Sequence, residues 1–270
     1  MITTDSAPGS PCWLDLGAPD VRAAAAFYGA VLGWRYAPMG ETGAEETDGG
    51  MFQKDGKAVA GLGPLTEKGA RSAWMIYFAV EDADATTRAV ESAGGSVRVA
   101  PKDLGDWGRM AQFTDPLGGQ FAVWQPGSNA GFELTDAPGA LAWTELYTSD
   151  AEASKEFYGG VFGWQYGDME LPGDGGAYTL IRPAGLPEER MQGGLMELPK
   201  ESLAPADGRP YWHPVFGVTD CDAAVAEVTG HGGTVQMGPV DAEGVGRLAV
   251  CLDPSNADFV LLTPAPPPAA

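Results

Sequence analysis

The residue types in this chain best suited to moving a proton near neutral pH are the imidazole of His213 and a carboxylate such as Glu145, which could orient the ring for general acid–base work. The other histidine, His231, sits in a turn before Gly232 and is incidental. Tryptophan is abundant, with 8 residues. The flat rings of Trp13, Tyr77, Trp124 and Trp143 could stack on a planar molecule. Cys12, Cys221 and Cys251 form an odd, widely spaced set that reads as small buried apolar residues, not as a disulfide frame or a metal site. Nothing resembles a Ser-His-Asp triad, a phosphate loop or a dinucleotide fingerprint.

The length of 270 residues suits two domains, and 44% hydrophobic residues suffice for their cores. The 39 glycines and 22 prolines point to short strands joined by many turns. A net charge of −21, with no basic cluster, argues against nucleic acid and anionic membranes. An acidic shell either keeps the protein soluble or steers a cationic ligand towards it. No run reaches the roughly 18 apolar residues of a membrane helix, and MITTDSAPGS does not read as a signal peptide, so a cytoplasmic protein, monomer or homodimer, is expected.

The elements that must position these residues come in duplicate. Trp13 to Trp34 (WLDLGAPDVRAAAAFYGAVLGW) and Trp143 to Trp164 (WTELYTSDAEASKEFYGGVFGW) align without a gap at an offset of 130 (143 − 13). Trp13 matches Trp143, Asp15 matches Glu145, Asp20 matches Asp150, and Phe27-Tyr28-Gly29 matches Phe157-Tyr158-Gly159. A second set matches at an offset of 138 (216 − 78), pairing FAVEDADA with FGVTDCDA and GRMAQFTDP with GRLAVCLDP. The second copy therefore carries an insertion between its halves, expected around Leu186 to Pro210. Each copy reads as two βαβββ units. In the first, a strand over Cys12 to Gly17 leads to an Asp20 cap and a helix to about Leu32, with Val21, Ala24, Ala25, Tyr28, Val31 and Leu32 as its buried stripe and Gly33 closing it. The expected domains are 1–127 and 139–264, with 128–138 as linker and 265–270 as a disordered tail.

This order, with its FYG…GW segment and the DP turn before a final strand, resembles the vicinal-oxygen-chelate superfamily of glyoxalases, bleomycin-resistance proteins and extradiol dioxygenases. The W-x-[DE]-L…FYG..FGW variant is similar to a two-domain actinobacterial branch, either of mycobacterial antigen type or from antibiotic gene clusters. The resemblance implies an α+β chain of tandem glyoxalase-like domains, each of two βαβββ units forming a cupped mixed sheet. It also implies three metal-ligand positions per domain, occupied here by Trp13, Met75 and Ala122, and by Trp143, His213 and Val260. A divalent metal wants about three or four oxygen or imidazole ligands, and only His213 qualifies, so no metal and no other cofactor is expected.

In such a fold, strand alternation turns Trp13, Asp15, Met75, Tyr77, Met110, Gln112 and Trp124 towards one cavity, and Trp143, Glu145, His213, Val215, Leu248, Val250 and Leu262 towards the other. Such apolar linings with sparse polar groups suit a small molecule. Trp13 and Trp143 either plug the cavities or stack on a ligand, and Asp15 and Glu145 either meet the ligand or pair with Arg109 and Arg247 as structural ions. Two functions follow. One is a metal-free binder of a small hydrophobic or aromatic molecule, an antibiotic or polyketide, in drug sequestration or self-resistance. The other is a metal-independent lyase, isomerase or hydroxylase-like enzyme acting on a small aromatic or carbonyl metabolite, with Glu145 and His213, on adjacent strands, as its acid–base pair.

Overall fold

The computed structural model describes residues 1–39, 49–67, 69–170 and 177–266. In strand β1 (Pro11–Ala18), buried Cys12, Leu14, Leu16 and Ala18 alternate with half-buried Trp13, Asp15 and Gly17, which is the pattern of a strand with one face on a core. Asp20 stops it and caps α1 (Val21–Leu32), its carboxylate accepting from the Ala23 amide at 3.0 Å, and Gly33 closes the helix at φ 68°. The buried face of α1 contains Phe27 in place of the expected Ala25, because the larger ring reaches the core from the edge of the stripe.

The first repeat continues through β2 (Arg35–Pro38), β3 (Gly50–Lys54), β4 (Lys57–Pro64), β5 (Ala73–Ala79), α2 (Ala83–Ser92), β6 (Ser96–Asp103), β7 (Gly108–Thr114) and β8 (Gln120–Pro126). The second follows the same order: β9 (Leu141–Thr148), α3 (Ala151–Phe162), β10 (Gln165–Glu170), β11 (Ala177–Arg182), β12 (Gly193–Glu197), β13 (Tyr211–Gly217), α4 (Cys221–Gly230), β14 (Thr234–Ala242), β15 (Gly246–Leu252) and β16 (Asp258–Pro264). Two mixed eight-stranded sheets result, ordered β2-β3-β4-β1-β5-β8-β7-β6 and β10-β11-β12-β9-β13-β16-β15-β14. The pairs β1–β4, β5–β8, β12–β9 and β13–β16 are parallel. The insertion in the second copy is divided. Register places Gly61 opposite Asp15 and Gly194 opposite Glu145, so part of the excess precedes β12 and the rest separates β12 from β13. Among the described residues no helix is long and apolar enough to cross a membrane. The tail expected to be disordered falls largely on 267–270, outside the described residues.

Packing divides the chain across the repeat boundary into a first unit of Met1–Trp13, Met75–Phe132 and Trp143–His213, and a second of Leu14–Trp74, Glu133–Ala142 and Pro214–Ala270. Each unit thus combines half of one repeat with the complementary half of the other. In the first unit the buried Tyr158 hydroxyl donates to Asp115 Oδ2 at 2.9 Å and accepts from Trp212 Nε1 at 2.9 Å. Asp115 Oδ1 takes the amides of Leu117 and Gly119 at 2.9 and 2.8 Å. The second unit repeats this arrangement: Tyr28 donates to Asp253 Oδ2 at 3.3 Å and accepts from Trp74 Nε1 at 3.1 Å. The FYG tyrosine of one repeat thus serves the DP aspartate of the other. Burial pushes both carboxyls above their ordinary value, against the pull of these donors.

The repeat also begins earlier than the tryptophan motif suggests, inside the stretch expected to link the domains. Ala7-Pro8-Gly9 matches Ala137-Pro138-Gly139 at the same offset of 130 (137 − 7). Gly9 and Gly139 take φ of 78° and 80°, a conformation that disfavours a side chain. In the first unit the Gly9 amide donates to Ala79 O at 2.8 Å and Gly9 O receives Trp164 Nε1 at 2.8 Å. In the second, Gly139 donates to Gly217 O at 2.7 Å and receives Trp34 Nε1 at 2.6 Å.

Tyr158→Phe leaves a buried carboxylate oxygen and a buried indole N–H without their shared partner, and should lower unfolding free energy by about 2–4 kcal/mol in urea titrations. Tyr28→Phe, whose bond to aspartate is longer, should cost less. A loss below about 0.5 kcal/mol for Tyr158→Phe would show that the hydroxyl does not hold the unit together.

Candidate functional site

The alternation of β9 buries Thr144, Leu146 and Thr148 and leaves Trp143, Glu145 and Tyr147 half-buried on its other face. Three elements converge on Glu145, all in the first unit. From β13, His213 brings Nε2 to 3.0 Å from Glu145 Oε2. From β11, Tyr178 donates its hydroxyl to Oε1 at 2.6 Å and accepts from Trp143 Nε1 at 2.9 Å. Tyr178 can reach across because the residue paired with Glu145 on β12 is Gly194, and any β-carbon there would overlap the phenol ring. The rings of Tyr147 and Tyr211 stand edge-on to the imidazole, with centroids at 4.5 and 5.6 Å.

The electrostatics follow from this geometry. Burial pushes the Glu145 carboxyl up, but the hydrogen bond and charge of His213 and the Tyr178 hydroxyl outweigh it, so the group sits below the ordinary glutamate value. An ionised carboxylate only accepts, so His213 Nε2 carries a proton. Tyr178 is raised well above its usual value by burial and by the Glu145 charge, and stays a neutral donor. The His213 side chain has 0% exposure and Glu145 has 17%, so only the glutamate of the pair is partly accessible.

The residues expected around the first cavity have a different fate. Tyr77, Met110 and Trp124 pack with Cys12, Ala79 and Ala122 in an apolar cluster, against which Trp13 and Met75 lie partly buried. Gln112 donates to the Tyr77 hydroxyl at 3.4 Å, and Trp124 Nε1 to Asn129 O at 2.9 Å. Phe132, in the segment after β8, lies 5.8 Å from the Trp13 ring. Asp15, expected at the first cavity, and Val215 and Leu248, expected at the second, belong to the second unit, where they pair across strands with Gly61, Val260 and Leu262 respectively. A cleft of about 310 Å³ in that unit, flanked by Val31, Lys54, Asp220 and Glu227, includes none of the expected site residues.

The sequence also offered Arg109 and Arg247 as ion-pair partners of Asp15 and Glu145, but Glu145 meets His213 and Tyr178. Arg109 is bound by Asp84 and Asp103, and Arg247 by Asp222 and Asp241, because each arginine stands opposite one of these acids in its own hairpin and within reach of the first helical turn above it. Sequence reasoning also missed Tyr147, Tyr178 and Tyr211. Parity could have supplied Tyr147, two residues after Glu145, and Tyr211, two before His213. Tyr178 gave no such signal, since it arrives from β11 over a glycine.

The sequence profile of the Glyoxalase/Bleomycin resistance protein/Dioxygenase superfamily matches residues 12–123 and 140–261. The chain belongs to this superfamily. It is 39% identical over 272 residues to the anthracycline biosynthesis protein DauV of Streptomyces sp. (strain C5), covering 95% of this chain and 94% of DauV. It is 37% identical over 265 residues to CFP32 of Mycobacterium tuberculosis (strain CDC 1551 / Oshkosh), covering 96% of each. In fold it is similar to the Mn(II)-bound glyoxalase of Novosphingobium aromaticivorans, with a TM-score of 0.62 and 17% identity over 96% of this chain and 88% of that one.

The metal used by such superfamily members does not fit these residues. Trp13, Met75 and Ala122 offer no strong ligand, and Trp143 and Val260 leave only His213 with its neighbour Glu145, fewer than the roughly three or four oxygen or imidazole ligands a divalent metal wants. Among the described residues no three His, Cys, Asp or Glu side chains gather as a metal group. Protein purified without chelator should therefore carry no stoichiometric zinc, nickel or iron by elemental analysis. One equivalent retained and lost in His213→Ala would reverse that conclusion.

Because Glu145 is depressed in the folded protein, its stabilising contribution is present above the unfolded value of about 4.3 and is lost as pH falls through the lower folded value. Glu145→Gln should cost about 1–3 kcal/mol near neutrality. That difference should shrink in urea titrations as the pH is lowered towards 3, roughly one unit below the free glutamate value. A deficit independent of pH would mean that the carboxylate charge is not what the network holds.

Proposed function

We propose that the protein is a metal-free binder of a small, planar aromatic molecule, held through the Glu145 network and serving sequestration or self-resistance in an antibiotic-producing pathway. The observation that carries this reading is the division of exposure at the site. His213, the group best suited to proton transfer, presents no surface, while the Glu145 side chain is 17% exposed, beside half-buried Trp143 and Tyr147. An aromatic wall with one oriented polar group is the make-up of a recognition site. The name of DauV, an anthracycline biosynthesis protein, supports a polyketide-type ligand.

The test is a titration of intrinsic tryptophan fluorescence with an anthracycline. Saturable quenching is expected. Trp143→Ala should weaken binding about tenfold, since stacking contributes about 0.5–1.5 kcal/mol and a factor of ten corresponds to about 1.4. No quenching by any aromatic polyketide would sink the proposal.

One observation favours a second reading, a metal-independent lyase, isomerase or hydroxylase-like enzyme: the 3.0 Å contact between the Glu145 carboxylate and the His213 imidazole. On that reading Glu145→Gln and His213→Ala abolish turnover while leaving affinity largely intact. Assaying a bound ligand for chemical change with both variants separates the two.

A further inference from the structure

We infer that the Glu145 site selects ligands that present a hydrogen-bond donor, a hydroxyl or an amine, and that Tyr178 is the residue positioning the carboxylate to receive it. The inference rests on the binding reading above.

The direction of the hydrogen bonds carries the argument. An indole N–H can only donate, so the contact from Trp143 Nε1 makes the Tyr178 oxygen an acceptor. The single phenolic proton is then committed to Glu145 Oε1. His213 Nε2 reaches the other oxygen. These three bonds therefore all run towards Glu145, and this chain of donors ends on an acceptor. A carboxylate offers about four acceptor positions, and each oxygen here uses one within the protein. The remaining capacity belongs to a side chain that is 17% exposed, whereas the His213 side chain has no exposure.

A ligand donor completes this group. A ligand acceptor, such as an ether or carbonyl oxygen, meets a negative charge and covers the remaining acceptor positions without filling them. Sites built to hydrogen-bond a donor reject analogues that lack it far more strongly than apolar pockets discriminate by size. The net charge of −21 adds no attraction for an anionic ligand. Tyr178 matters because its bond lowers the pKa of Glu145 against the burial that would raise it. Gly194 matters because it leaves the phenol room to make that bond.

The experiment uses the full chain and three probes of matched shape: amino-, hydroxy- and methoxyanthraquinone substituted at the same ring position, followed by tryptophan fluorescence. The amino and hydroxy probes should bind about tenfold tighter than the methoxy probe. Glu145→Gln should reduce that preference to below threefold. In Tyr178→Phe the acid limb of the amino-to-methoxy affinity ratio should move to higher pH, a readout that a general loosening of the fold, which weakens both probes together, would not give. Equal binding of the three probes to the wild-type protein, or a preference for the methoxy probe, overturns the inference and leaves the binding reading standing. Binding of none of them overturns the inference, and the binding reading falls with it if no aromatic polyketide quenches either. The wild-type comparison needs no variant, so misfolding of Tyr178→Phe does not shield the inference.

Discussion

A buried carboxylate that cannot be left alone organises each unit of this protein. Asp115 and Asp253 sit in tight turns almost out of contact with water, and each is held by backbone amides and by one tyrosine hydroxyl. An unpaired charge at such a depth costs several kcal/mol. The tyrosine that answers Asp115 comes from the second repeat, and the one that answers Asp253 comes from the first. That exchange explains why both copies contain both motifs, and why packing gathers half-repeats rather than whole ones. Trp74 and Trp212 complete the same arrangement by donating to the tyrosine oxygens, which is why large polar-edged rings occupy those positions.

On the other face of the strands the two copies differ. Met75 and His213 stand at matching places in the two copies, yet one packs against an apolar cluster and the other anchors a polar network. Small residues decide which outcome is open. Gly194 makes room for Tyr178, whose hydroxyl joins His213 in holding the Glu145 carboxyl below its ordinary value against burial. A polar group of this kind is stable only when its partners arrive together.

The sequence by itself determined the duplication, the two βαβββ units in each copy, the aspartate caps and the closing glycine, because these rest on local rules: the spacing of apolar residues, side-chain caps and left-handed turns. It also placed Glu145 beside His213, since strand parity in a known topology fixes which residues face one another. Only the tertiary structure decided that the repeats exchange halves, that Arg109 and Arg247 turn to their own hairpins and helices, and that Tyr178 holds Glu145. The physical reason is common to all three. Each depends on a partner that arrives from a strand or helix far along the chain, and neither periodicity nor capping reports which distant hydroxyl or carboxylate will lie within about 3 Å.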